Sequence, residues 1–384
     1  MKDSFPRGQT AIVAAATYGM GEAPGFTNME LATHASIRAL TQAGLQPKDV
    51  DGLFVVTMDD TLAGLSFAEY LGIRPRITDN CRTGGSSFEI HAAIAALALA
   101  AGQCDVALIA YGSNQRTSSG KLTSSSRPSP WESSYRPLNP VSSYALAAAR
   151  HMHQYGTTKE QLGEVAIAAR KWAQKNPDAF MRDELTMDAY LAARSVSSPL
   201  GVRDCCLVTD GAAAVVMVRA DRAQELTQHP VYLLGAAAEI THREIACMPD
   251  LTVTGTARAA RRAFAQAGVR PADIDVVELY DAFTINTILF LEDMGFCPKG
   301  EGGRFISGGR IAPGGELPVN TNGGGLSCVH PGMYGLFTIV EAVQQLQGAC
   351  GERQVPGARL AVAHGNGGFL SSEAVLVLGT SETL

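Results

Sequence analysis

The amino-acid sequence predicts an α/β protein made of two duplicated βαβαβ halves, and three observations carry that prediction. Ser36-Ile37-Arg38-Ala39-Leu40-Thr41-Gln42-Ala43-Gly44-Leu45-Gln46-Pro47-Lys48-Asp49-Val50-Asp51 recurs as Ala260-Arg261-Arg262-Ala263-Phe264-Ala265-Gln266-Ala267-Gly268-Val269-Arg270-Pro271-Ala272-Asp273-Ile274-Asp275, at a constant offset of 224 positions. A period that long marks a duplicated domain and not a solenoid. Short apolar runs alternate with helical ones, the order expected of βαβ units. Asp105-Val106-Ala107-Leu108-Ile109-Ala110-Tyr111-Gly112 is apolar without alternation, as in a parallel strand covered on both faces. Two such halves predict a five-layer αβαβα sandwich, with the two homologous central helices buried between two mixed sheets. The first half spans 1–250 and carries a long excursion at about 113–204; the second spans 251–384.

In chain order, Ala11–Ala16 reads as a strand, 28–43 as a helix stopped by Gly44, and Gly52–Val56 as a strand. Thr78-Asp79-Asn80-Cys81-Arg82-Thr83-Gly84-Gly85-Ser86-Ser87 then opens a helix, with Thr83, Ser86 or Ser87 as cap and Glu89 in the first turn. That helix runs to Ala101 and is apolar all round, so it is expected to be buried on every face. From Ser113 to about Pro140 the chain is rich in Ser, Pro and Arg and reads as a loop, followed by helices at 142–155 and 159–174. Asp204 and Asp210 read as turn chemistry before the strand Ala212–Val218. In the second half a strand at Val276–Leu279, a helix containing Leu291 and a buried helix at Leu336–Leu346 repeat the pattern. The strands Leu360–Ala363 and Ala374–Leu378 flank a loop containing His364.

Composition narrows the function. The net charge is −6, and the basic residues are scattered, which argues against nucleic acid and anionic membranes as partners. Met1–Thr10 lacks the apolar core of a secretory signal, and Ile90–Ala101 is too short to cross a bilayer, so a cytoplasmic location is expected. The eight cysteines form no C-x-x-C pair and no metal-ligand spacing; they read as reduced thiols, with no metal site.

The reactive side chains fall in loops at the ends of apolar elements, where open α/β folds place their sites. Cys81 precedes the N-terminus of a buried helix, where backbone N–H groups and the helix dipole favour a thiolate and can receive an oxyanion. A thiolate needs a base, and histidine suits neutral pH. Of the eight histidines only His330 and His364 stand in glycine-flanked loops between core elements.

The Asn80-Cys81-Arg82-Thr83-Gly84 loop, His330-Pro331-Gly332-Met333-Tyr334-Gly335 and the glycine-rich His364 loop together resemble the thiolase superfamily, closest to its sterol-carrier-protein-2-like branch. The resemblance covers nearly the whole chain. It implies a thiolase fold, with the excursion as the loop domain that carries the CoA site. It makes Cys81 the acyl-accepting nucleophile and His330 its activator, which also polarises the thioester oxygen. The backbone N–H groups of Cys81 and of Gly367 or Gly368 form the implied oxyanion hole. The implied reaction is cleavage of a bulky 3-ketoacyl-CoA with CoA as co-substrate and no permanently bound cofactor, in aromatic or steroid degradation, as in benzoylsuccinyl-CoA thiolase.

Two departures stand out. Positions 361–368 lack the family's acid/base cysteine, and Tyr280 stands where relatives carry Asn or His. Cys328 and Tyr280 are the candidates for the missing proton donor. Arg82, Asn286 and Tyr334 are candidate substrate contacts, Arg82 for a carboxylate. Tyr280-Asp281-Ala282-Phe283 and the His330 segment also resemble thiolase-like retro-aldolases, which cleave 3-hydroxyacyl-CoA side chains of steroids without a nucleophilic cysteine. The same resemblance implies a homodimer and a small zinc-ribbon/OB-fold partner subunit. A non-catalytic acyl-CoA or lipid-binding protein is a further alternative, and a ketosynthase using Cys81, His330 and His364 would need an extender donor.

Overall fold

The computed structural model describes residues 5–119 and 129–384, so part of the expected loop, 120–128, lies outside the described residues. The first half contributes β1 (Thr10–Gly21), α1 (Asn28–Gln42), β2 (Gly52–Val55), α2 (Ala63–Leu71), β3 (Ile77–Asp79), α3 (Ser87–Ala100) and β4 (Val106–Ser113). The excursion follows with α4 (Gln115–Ser119), α5 (Val141–Tyr155), α6 (Lys159–Gln174), α7 (Met187–Leu191) and the small pair β5 (Ser195–Ser197) and β6 (Leu200–Gly201). The chain returns as β7 (Asp210–Arg219) and α8 (Ala220–Leu226). The second half is β8 (Val231–Ile240), α9 (Thr256–Ala267), β9 (Val276–Glu278), α10 (Thr284–Asp293), α11 (Gly302–Ile306), α12 (Gly335–Leu346), β10 (Leu360–Gly367) and β11 (Ser372–Gly379).

The large sheet runs β3-β2-β4-β7-β1-β8-β11-β10-β9. Its two halves mirror each other: β1 and β8 meet at the centre, and β7 with β4 answers β11 with β10. The two expected sheets are joined there by a short pairing only, Ala11 with Tyr232 and Ile12 with Val231. A parallel bridge between Val277 and Val319 extends the second half as β3 extends the first. Helix α1 packs on β1, β4 and β7 and α9 on β8 and β11, while α3 and α12 touch each other and strands of both halves. The five layers therefore arise because apolar faces of both half-sheets close over the same two helices.

The structure changes several local expectations. Strand β8 pairs with β11 along its length, so the second half begins near 231 and not at 251. It occupies the place that β1 has in the first half, which the repeat at 36–51 could not reveal because it starts after that strand. Helix α3 is buried through Phe88, Ala92, Ala95, Ala96 and Leu99, but Leu97 is half exposed. Full burial of Phe88 and Leu99 contributes about 1.5–3 kcal/mol each. Glu89 is not a solvated dipole partner: it is buried, accepts a hydrogen bond from Thr338 Oγ1 (3.0 Å), and burial pushes its carboxyl up to about 8. His364 does not lie in a loop, because β10 continues through His364-Gly365-Asn366-Gly367 in register with β11. Helices α1 and α6 start at capping boxes, Thr27 with Glu30 and Thr158 with Gln161.

Candidate active site

Both halves and the excursion meet at a cavity of about 440 Å³, within the range of small-molecule sites. One wall is the loop before α3: Arg82, Thr83, Gly84 and Gly85. Opposite it stand Tyr280, Ala282 and Phe283 after β9, His330 and Gly332 before α12, and Asn366 and Gly368 at the end of β10. Pro140 and Tyr144 enter from the excursion and Cys206 from the segment that precedes β7. The contact between the halves leaves no room for side chains. A Cβ at Gly85 would lie 1.9 Å from Tyr280 Cε2, and one at Gly367 would lie 1.8 Å from the Thr83 carbonyl. Gly84, at φ +92°, bends the loop between them.

His330 is held from its backbone and left free at its ring. Its N–H donates to Thr209 Oγ1 (2.9 Å) and its carbonyl accepts from Gln115 Nε2 (2.9 Å). Neither ring nitrogen has a hydrogen-bond partner among the described residues, although the residue is only 3% exposed. Burial pushes the imidazole down to about 4, so it is neutral near pH 7, with one N–H to donate and one lone pair to accept. The Tyr280 ring stands edge-on to it, with centroids 5.5 Å apart. The Tyr280 hydroxyl accepts the Tyr334 N–H (3.2 Å), and burial raises its pKa well above the ordinary range. Asp281 accepts the Gly325 N–H (2.6 Å) and so ties the tyrosine segment to the loop that leads to His330; burial raises its carboxyl to about 7.

The sequence candidates divide into two groups. His330, Tyr280, Arg82 and Gly368 line one cavity, and Gly367 touches the Thr83 backbone beside it. Arg82 Nη1 is braced on the carbonyls of Thr57 (3.0 Å) and Met58 (3.1 Å). Cys81 is exposed and outside the cavity lining. Its N–H donates to Asp79 Oδ1 (2.6 Å) and its carbonyl accepts from His91 Nε2 (3.1 Å). Its loop leaves β3 at the sheet edge, and Gly84 and Gly85 carry only the following residues inward.

Cys328, His364, Asn286 and Tyr334 were expected at the site and lie in the core around it. Cys328 is fully buried against Asn176 (3.5 Å), and burial raises its thiol far above the ordinary range. His364 sits under the Phe290 ring, bonded to Thr256 Oγ1 (2.9 Å) and near Glu373 Oε2 (3.2 Å). Asn286 Nδ2 donates to the Tyr280 carbonyl (3.2 Å), and the Tyr334 hydroxyl donates to Asn322 Oδ1 (3.0 Å). All four are drawn inward because their elements are covered on both faces.

Tyr144, Asn366 and Cys206 are among the cavity residues that the sequence did not single out. Tyr144 reads there only as part of a helix, Asn366 as a residue of a glycine-rich loop and Cys206 as one thiol among eight. A Cys205-Cys206 pair inside a Gly201–Gly211 turn segment was the available signal.

The comparisons with known proteins agree with this architecture. Residues 237–380 match the family model described as "Thiolase C-terminal domain-like". The acetyl-CoA acetyltransferase of Methanothermobacter thermautotrophicus is 35% identical over 383 residues, covering 95% of this chain and 98% of that protein. The 17-hydroxy-3-oxo-4-pregnene-20-carboxyl-CoA lyase of Mycobacterium tuberculosis is 34% identical over 89% of this chain and 92% of that one. Among solved structures, an Ltp2-ChsH2(DUF35) aldolase superposes with a TM-score of 0.89 at 30% identity, covering 97% of this chain and 98% of that chain. With the mirrored half-sheets, the shared central helices and near full-length relatives in hand, the chain belongs to the thiolase superfamily, in the sterol-carrier-protein-2-like branch to which its motifs point.

Proposed function

We propose that this protein makes and breaks the carbon–carbon bond next to a CoA thioester, as a thiolase that cleaves a bulky 3-ketoacyl-CoA with CoA through an acyl-enzyme on Cys81. The observation that carries the reading is that Arg82, Thr83, Gly84 and Gly85, which follow Cys81 without a gap, line the same cavity as His330. Acylation then requires Asn80 and Cys81 to turn inward, releasing the Cys81 N–H from Asp79 for the oxyanion hole. The thiolate attacks the 3-keto carbon, and the Cα–Cβ pair moves onto the thioester as an enolate. The neutral His330 ring donates its N–H to the thioester oxygen, and the Gly368 and Cys81 N–H groups receive the oxyanion. CoA then takes the acyl group. The relatives' names and the cavity volume support a large acyl group from aromatic or steroid breakdown.

One observation favours a second reading, retro-aldol cleavage of a 3-hydroxyacyl-CoA: the cavity holds Tyr280 and His330 without Cys81. The aldolase relatives support the same reading. Incubating the protein separately with benzoylacetyl-CoA and with a 3-hydroxyacyl-CoA, and mapping Cys81 by mass spectrometry in each, separates the two. An acyl adduct on Cys81 with CoA-dependent cleavage is expected. Cleavage of a 3-hydroxyacyl-CoA with Cys81 unmodified would replace thiolase by aldolase, and binding without either reaction would leave an acyl-CoA binder.

A homodimer through the outer edge of β3 belongs to the same proposal, supported by the exposed Leu62, Leu65 and Tyr70 on and beside α2. A small partner subunit carrying a zinc ribbon and OB fold is supported by the two-component aldolase. No helix of the described residues is long and apolar enough to cross a membrane.

A further inference from the structure

We propose that the thiol of Cys206 carries the proton to and from the α-carbon of the CoA thioester. This rests on the reading that the bond next to that thioester is cleaved here. Among the described residues Cys206 is the one cysteine in the cavity wall. Backbone pairing puts it there: the Cys206 N–H donates to the Ala282 carbonyl (2.8 Å) and the Leu207 N–H to the Gly325 carbonyl (2.9 Å). The preceding Cys205 bridges to Phe283 in antiparallel fashion. The segment thus runs beside Tyr280–Phe283 and faces the loop that ends in His330.

Two deeply buried groups on the same wall call for a ligand. Among the described residues, both His330 ring nitrogens and Asn366 Oδ1 lack partners, although these two residues are only 3% and 2% exposed. Buried polar atoms without partners are costly, and a thioester oxygen would satisfy the imidazole N–H. The nearby hydroxyls are more constrained. Tyr144 Oη donates to the Gly368 carbonyl (3.1 Å) and accepts from Asn366 Nδ2 (2.8 Å), and Tyr280 Oη accepts from Tyr334. Burial, with Cys205 and Asp281 adding, holds the Cys206 thiol well above the ordinary value, so it is protonated before reaction and a strong base after it.

The step balances in both reactions. When the Cα–Cβ bond breaks, its electron pair stays on the α-carbon as the enolate, and Cys206 S–H protonates that carbon, leaving a thiolate. In thiolysis the thiolate takes the proton of the incoming CoA thiol. The CoA sulfur then displaces Cys81 from the acyl group, and Cys206 is again S–H. In retro-aldol cleavage the proton released by the 3-hydroxyl restores it.

The test is exchange of the α-hydrogens of acetyl-CoA and propionyl-CoA in D2O, followed by mass spectrometry with the full-length protein. The native protein and Cys205→Ala should exchange at the same rate. Cys206→Ala and Cys206→Ser should lose on the order of 10²-fold or more, the scale of general acid–base catalysis. Native exchange rates in both Cys206 variants, or no exchange in the native protein, would overturn the inference. The Cys81 adduct is read separately in the same Cys206 variants, so failure of the acyl-enzyme reading is distinguishable from failure of this one.

Discussion

Asn366 Nδ2 donates a 2.8 Å hydrogen bond to Tyr144 Oη, joining strand β10 to helix α5 of the excursion across the cavity mouth. The same hydroxyl donates to the Gly368 carbonyl (3.1 Å), and its ring stacks on Phe283 with centroids 4.3 Å apart. One phenol therefore positions both the Asn366 amide and the glycine proposed for the oxyanion hole. Tyr144→Phe keeps the stack and removes the hydroxyl, leaving the buried Asn366 amide unpaired at about 1–3 kcal/mol and the exposed Gly368 carbonyl to solvent. Turnover is expected to fall on the order of tenfold to a hundredfold with little change in KM. Equal kcat in steady-state assays would show that the hydroxyl positions nothing.

The core placement of Cys328 makes its substitution uninformative for chemistry. Cys328→Ala should retain full thiolysis, whereas Tyr280→Phe should slow it, because Tyr280 lines the cavity and Cys328 does not. Parallel rate measurements on the two variants check this, and a large loss in Cys328→Ala would contradict the placement described above.

Acid should destabilise the fold through its buried histidines. Burial pushes His330 and His91 down to about 4 and His364 to about 3. In the unfolded chain each takes up a proton near pH 6.5, so the stability present above that pH is lost as pH falls toward 4. The buried carboxyls Glu89 and Asp281, raised to about 8 and 7, contribute with the opposite sign, so the histidine contribution is read by difference. Against the native protein, His330→Asn should change the slope of melting temperature with pH across that window by up to about one proton. The acid limb of kcat/KM attributable to His330 is expected near 4; a limb near 6.5 would mean the ring is solvated.

Glu341 and Arg353 form the best-enclosed ion pair of the second half, with Arg353 Nε at 2.9 Å and Nη2 at 3.1 Å from the carboxylate, and Thr321 and Gln345 on the same oxygen. Arg353→Ala leaves a buried carboxylate without its partner, at about 3–5 kcal/mol. Urea unfolding should show that loss with an unchanged m-value. Replacing the solvent-facing Arg270, paired with Asp273 at the surface, should leave the urea midpoint essentially unchanged.

The duplication, most of the strands and helices apart from β8 and α2, the two buried central helices and the residues His330 and Tyr280 were legible in the sequence, because apolar periodicity and a 224-residue repeat are local or self-referential signals. Which way a loop side chain turns is not local. Cys81 and Arg82 are neighbours in the chain, yet only Arg82 lines the cavity, because Gly84 and Gly85 must press the loop against Gly367 and Tyr280 from the other half. His364 looked like a loop residue until pairing with β11 carried the strand through it, and Cys328 looked available until the core closed over it. Tyr144, Asn366 and Cys206 reach the site only when three distant segments pack together, and that contact is decided by tertiary burial, which no single stretch of sequence encodes.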